Sequence, residues 1–372
     1  MAIRLKKGVQ LPLLLCMAAP LVLLSACSSS SSSDTDVVTD SDESDDSDGD
    51  YTYSSDCFAN TDQTELMVCL ANNLLSTLDT EEAESMVYEL TEENATDYWS
   101  NLPLQGPVTR NGISLEDMST DAKDAAEVLV DAALSIQGQE TMDGIRAADS
   151  YLGENGNSVV YGEDKYALAF LGTPSTTEPW IAEFSGHHYT FFASFNGSPV
   201  GATPYFVAVE PVSWVEDGVT YDPMAPHKES FVAMFESLGA TELTAAQLSE
   251  AYDDVLVGPQ QDGDYPETSE GLAVSTLSDS QRALVAAVID AYAGDANETG
   301  QSAAYTTDES LDETYIAWSS YSDLETQGSY ARIDGPGVWI EFTVQPGVVL
   351  SDPHYHSIWR DKELDYGGNF DF

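Results

Sequence analysis

Two blocks of strand-forming residues, each preceded by a helical stretch, limit what this chain can fold into. The first runs Tyr166-Ala167-Leu168-Ala169-Phe170, then Trp180-Ile181-Ala182-Glu183-Phe184, a His187/His188 pair, an Asn196-Gly197 turn and Tyr205 to Val209. Asn-Gly between apolar runs is the strongest short-range hairpin signal, because both turn positions want a left-handed backbone. The second block runs Tyr315 to Trp318, then Trp339-Ile340-Glu341-Phe342, then His354-Tyr355-His356. The shared order (a Tyr strand, a Trp-Ile strand ending Glu-Phe, a His pair) reads as a duplicated hairpin unit. Such a repeat would bring the two histidine pairs toward a shared cleft.

Helical periodicity fills the remainder. From Thr61 to Leu152 the chain reads helical, most clearly over Asp121 to Gln137, where Ala125, Ala126, Leu129, Val130 and Ala133 form one stripe and Gly138 reads as a stop. Glu229 to Ala293 forms a second helical block. Thr244 with Gln247, and Ser278 with Gln281, have capping-box spacing, and Gly294 closes the last helix. The expected class is α+β, with helices packed on antiparallel sheet.

The N-terminus reads as an address. Arg4, Lys6 and Lys7 precede an apolar stretch, Leu11 to Leu24, that is short for a membrane span. It ends in Leu24-Ser25-Ala26-Cys27, which resembles the lipobox of bacterial lipoproteins. That resemblance implies a signal peptide over 1–26, a lipidated Cys27 and anchoring in a membrane. Ser28, where Asp would suggest inner-membrane retention, favours the outer membrane of the cell envelope. Residues 27–56 are almost all Ser, Asp, Thr and Gly, too poor in apolar groups to offset ordering entropy, and read as an extended tether. A single α+β domain is expected over 57–372. In an oxidising compartment Cys57 and Cys69 are placed to form a disulfide.

Charge excludes one function class. The chain carries 65 acidic and 12 basic residues, net −53. Without leader and tether, 55 acidic residues remain against 9 basic ones. That field repels nucleic acid, and so argues against any such partner. It also suits a salty medium that screens the self-repulsion.

Four of the five histidines sit in the two pairs. Imidazole is the commonest protein ligand for transition metals, and His at i and i+2 of a strand projects both rings to one side. With residues 354–361 as a strand, His354, His356, Ile358 and Arg360 share a face, and Tyr355, Ser357, Trp359 and Asp361 the other. Adjacent His187 and His188 would point to opposite faces. His188 belongs to the more polar set and is the expected ligand; His187 is expected beside the metal or against substrate. Glu341 and Glu183 hold the same slot in the two Trp-Ile motifs and are candidate fourth ligand or general base. Arg360 would recognise an anion or stabilise developing negative charge, with Asp361 as its charge partner and Tyr355 against ligand. Such a set suits Zn²⁺, Fe²⁺, Mn²⁺ or Cu²⁺. His227, alone in Pro226-His227-Lys228, is expected at the surface. Motifs for an α/β-hydrolase elbow, a His-Glu-x-x-His zinc helix, a P-loop or a dinucleotide fold are absent from the sequence.

Gly172-Thr173-Pro174-Ser175, Pro179-Trp180 and Gly186-His187-His188 together resemble the first signature of the domain of unknown function 3500 family. The run from Trp339 to Phe342, then His354 to Asp361 and Asp365-Tyr366-Gly367, resembles its second. Asn101-Leu102-Pro103 and Gly112 to Leu115 resemble its helical opening. The resemblance implies a secreted or envelope protein and brings no established activity. Three readings stay open: a metal-dependent enzyme, hydrolase or oxygenase; a surface module that binds a metal ion or small-molecule ligand without turnover; and a scaffold in an envelope assembly, whose histidines would be buried and dispersed.

Overall fold

Residue parity along the strands assigns each side chain to one of two covered faces. The computed structural model describes residues 56–297 and 300–372; the leader, Cys27 and the tether up to residue 55 lie outside the described residues. Helices α1 (Gln63–Thr77), α2 (Thr80–Met86) and α3 (Glu92–Thr96) come first, with strand β1 (Val87–Tyr88) between the last two. A disulfide joins Cys57 to Cys69 in α1. Strand β2 (Ile113–Ser114) leads into α4 (Thr120–Ala133) and α5 (Ile136–Leu152). The first β block follows as β3 (Tyr166–Leu171), β4 (Trp180–Gly186), β5 (Tyr189–Phe195), β6 (Pro199–Gly201) and β7 (Tyr205–Val209). A small hairpin, β8 (Trp214–Glu216) with β9 (Val219–Tyr221), precedes α6 (Ala225–Glu236) and α7 (Ala240–Ala245). The second half holds β10 (Leu272–Ala273), α8 (Asp279–Ala293), α9 (Gln301–Tyr305), α10 (Asp308–Asp312), β11 (Tyr315–Ser319), β12 (Tyr330–Asp334), β13 (Val338–Gln345) and β14 (His354–Asp361). The class is α+β, as expected.

Twelve strands form one sheet in the order β1-β3-β4-β5-β7-β14-β13-β12-β11-β10, with β2 on β3 and β6 on β5. The order reads the same from either end: four strands of the first block meet four of the second through β7 and β14. The duplication extends further than the β blocks. Each half starts with a positive-φ glycine, Gly112 or Gly271, then a two-residue strand, a 3₁₀ turn, and a serine N-cap, Ser119 or Ser278, that opens α4 or α8. Both glycines are obligatory, since a Cβ would lie 2.0 Å from the Leu168 carbonyl oxygen or 2.4 Å from that of Ile316.

The motif pairing expected from sequence is off by one strand. Trp180 opens the second strand of its block and Trp339 lies in the third of its own, so Glu183 and Glu341 are not equivalent. Gly138 is no stop either. The helix ends at Ala133, and Ser135 caps a new one by accepting from the Gly138 N–H. Gly138 is small because the Asp295 carbonyl oxygen passes where its Cβ would be. Thr244 lies within α7 and caps nothing, whereas the Ser278–Gln281 box forms. Strand β12 went unseen in the sequence.

Both faces of the sheet are buried. Tyr355, Trp359, Val207 and Val209 pack with Phe184, Phe342 and the apolar stripes of α1, α4, α5, α6 and α8. The alternate residues, Ile358, Phe206, Ala208, Phe192 and Ile181, meet Trp99 and Tyr366 in a second, smaller core beneath loops. His227 is fully buried on α6 against Tyr292, its Nε2 3.5 Å from Asp295, contrary to the surface position expected. Packing of α6 on α8 overrides what an isolated Pro-His-Lys suggests. The nine basic side chains of this region are all engaged: Arg110 with carbonyls, and the others with at least one carboxylate each.

Gly271→Ala is expected to lower unfolding free energy by about 2 kcal/mol or more, because backbone must move to admit the methyl group. A urea midpoint unchanged from wild type would refute this account of the repeat.

Candidate metal centre

Strand register brings the two histidine pairs together. His187 and His188 do not lie on a strand, as expected from sequence, but in the turn joining β4 to β5. The turn puts His188 at φ 64°, with its N–H on the Asn101 carbonyl at 3.2 Å. Its own carbonyl accepts from the Ala208 N–H at 2.8 Å. Ala208 stands opposite His356 across the β7–β14 ladder, so this contact carries His188 toward the β14 pair, and the small Ala208 side chain leaves room for rings. His354 and His356 share a face of β14 as expected, with Nε2 atoms 3.0 Å apart. One side-chain nitrogen from each of His188, His354 and His356 lies within 4.8 Å of the others, and all three residues are buried.

For two of these rings burial disfavours the charged form. Burial pushes the His188 pKa well below the usual imidazole range, and His187, His356 and His354 add to the effect. Burial and then His356 lower His354 to about 4, with a hydrogen bond to the Pro346 carbonyl opposing. Three imidazole nitrogens brought this close form a donor set for a borderline divalent cation. Two nitrogens 3.0 Å apart can share an ion at about 2.1 Å from each, an ordinary metal–imidazole distance. His356 Nδ1 lies 3.0 Å from Asp254, the carboxylate–histidine arrangement that fixes ring orientation and aims Nε2 inward.

Beside the three sits His187, stacked on His188 with ring centroids 3.7 Å apart and Nδ1 2.5 Å from Asp149. A cavity of about 170 Å³ opens over the cluster, walled by Asn101 to Pro103, Tyr161, Glu210 and the 345–349 loop. Glu210 Oε1 accepts from the N–H groups of Val348, Val349 and Leu350, holding that loop in place.

The remaining sequence candidates lie elsewhere on the frame. Glu341 is fully buried and accepts from Leu256 N, Val257 N, Tyr330 Oη and Trp339 Nε1 at 2.7–3.1 Å, pinning the loop that carries Asp254. Arg360 donates to the carbonyls of Val257 and Gly258 and pairs with Asp262 and Asp365. Asp361 accepts from Gln301, Tyr305 and two N–H groups of the following turn. Tyr355 faces the helices and packs on Phe342. Glu183 lies under the 94–111 loop, accepting from Asn111 at 3.0 Å, and burial raises its pKa to about 8. Asp149, Asp254, Glu210 and Asn101 to Pro103 were not singled out as site residues. In so acidic a chain an isolated Asp or Glu carries no signal of its own.

Against known proteins, the family profile described as "protein of unknown function (DUF3500)" matches residues 60–368. The chain belongs to that family. No curated protein and no solved structure matches it. For this DUF3500 member, the site therefore rests on its own geometry.

Asp254→Asn is expected to weaken metal affinity about 10–100-fold while the fold is kept, measured by competition with a chromophoric chelator. Glu183 gives a separate test. Its folded pKa exceeds the unfolded value, so its ionisation penalty is absent at low pH and grows as pH rises toward 8. Glu183→Gln should match wild-type stability near pH 4 and exceed it near pH 9, by on the order of a few kcal/mol. Equal urea midpoints at both pH values would contradict the burial argument.

Proposed function

We propose that this protein is a lipid-anchored envelope metalloprotein in which His188, His354 and His356 hold one divalent transition ion, and that the centre is that of an enzyme, a hydrolase or oxygenase. The observation that carries the reading is the convergence of three buried imidazoles at a small cavity. Three protein ligands leave a position free, the arrangement of catalytic rather than structural sites. When bound, the ion supplies Lewis-acid polarisation of a substrate atom. The chain's own residues do the rest. Asp254 orients His356, and Glu341 acts through the 254–257 loop rather than on substrate. Asp149 contacts Nδ1 of His187 and fixes that ring at the cavity wall. The 100–103 and 345–349 walls limit water. Arg360 and Asp361 brace β14 against the loops and tail.

Elemental analysis of the full chain purified in detergent should find about one transition ion per molecule. His188→Ala and His354→Ala should each lose it with unchanged far-ultraviolet circular dichroism. Metal-free wild-type protein after exposure to Zn²⁺, Cu²⁺, Fe²⁺ and Mn²⁺ would sink the reading. Stoichiometric metal without turnover on ester, peptide and oxygen-consumption panels would favour a binding module over an enzyme.

A further inference from the structure

Arg110 stands where two segments of the site meet. Its Nη2 donates to the carbonyls of Ser100 and Leu102, on the strip that walls the cavity, and to that of Gly186 at the end of β4. Its Nε donates to Ser185 Oγ at 3.1 Å. Between the two wall carbonyls lies Asn101, whose own carbonyl accepts the His188 N–H at 3.2 Å. One guanidinium therefore fastens both sides of the bond that sets His188: the strip that accepts it and the turn that donates it. His188 needs such a hold. Its backbone is left-handed at φ 64°, a conformation that is unfavourable for a residue with a Cβ unless its surroundings impose it.

The guanidinium is not satisfied in this position. Its Nη1 is buried without a hydrogen-bond partner, and burial lowers its pKa to about 10, with Glu183 and Tyr166 opposing. A buried donor left unsatisfied destabilises a fold and calls for an explanation. The explanation here is the fork itself, which reaches four acceptors on two segments, as no other cationic side chain could. Other contacts tie the turn to the sheet: Tyr166 Oη donates to the His187 carbonyl at 2.8 Å, and the Ala208 N–H donates to that of His188. Arg110 ties the same turn to the 100–102 strip.

Resting on the metal reading above, we infer that Arg110 is a positioning residue of the metal centre: it holds the His188 ring in place for the ion by locking the Asn101–His188 bond. The sign of its effect separates this role from simple electrostatics. A guanidinium repels a nearby divalent cation, so charge alone predicts that removing Arg110 tightens metal binding. Positioning predicts the opposite, because a ring free to swing away leaves the ion with two nitrogens instead of three.

The test is Co²⁺ binding by the full chain in detergent, with affinity read by competition with a chromophoric chelator and the ligand set read by visible absorption. Arg110→Met should weaken Co²⁺ binding about tenfold or more and move the absorption toward that of His188→Ala. In a His188→Ala background the same substitution should cost about twofold or less, because the ring it acts on is gone. Arg110→Lys, which keeps the charge and loses the fork, serves as the second variant if the Met variant does not fold. A smaller loss in the wild-type background, a tightening, or a larger loss in the His188→Ala background overturns the positioning role while leaving the metal centre intact. If the wild-type chain binds no Co²⁺, the metal reading fails and the role of Arg110 falls with it.

Discussion

The pairing of β7 with β14 is the interaction on which this architecture depends. It is an antiparallel ladder of five residue pairs at the middle of the sheet, and it is where two similar halves become one β layer. Without it each half would expose a strand edge and half of an apolar face on both sides, a costly arrangement in water. The same ladder sets Ala208 opposite His356 and lets Ala208 hold the His188 carbonyl. Core formation and site assembly thus share one seam.

That seam also explains why the duplicated fold yields one site. The His187-His188 turn comes from the first half and the His354/His356 strand from the second. At the turn equivalent to His187-His188 the second half has Gly335-Pro336-Gly337, and the strand of the first half equivalent to β14 has no histidine. Around the cluster the fold uses carboxylates as fasteners: Glu341 for the 254–257 loop, Glu210 for the 348–350 loop, Asp149 for a ring. Each accepts hydrogen bonds that a loop cannot satisfy internally, which is how segments without regular structure become fixed walls.

Much of this was legible from residue order. The β blocks, the Asn196-Gly197 turn, the Ser278 cap and the disulfide cysteines have local signatures, and local chemistry decided them. The face-sharing of His354 and His356 followed from strand periodicity alone. What failed depended on contacts distant in sequence. Gly138 looks like a helix stop until the Asp295 carbonyl is placed against it. His227 looks exposed until α6 packs on α8. The Trp-Ile-Glu likeness paired strands of different rank, because similar strands recur within each half as well as between halves. Asp254 and Asp149 could not be told from dozens of other acids before their partners were known.

Engagement of all nine basic side chains with carbonyls or carboxylates has a consequence beyond packing. With few cations at the exterior to relieve it, the surplus of carboxylates gathers a cloud of mobile counter-ions. Divalent ions enter such a cloud preferentially over monovalent ones. Metal dissolved sparsely in the medium would therefore be enriched around the molecule before any of it reached the proposed site.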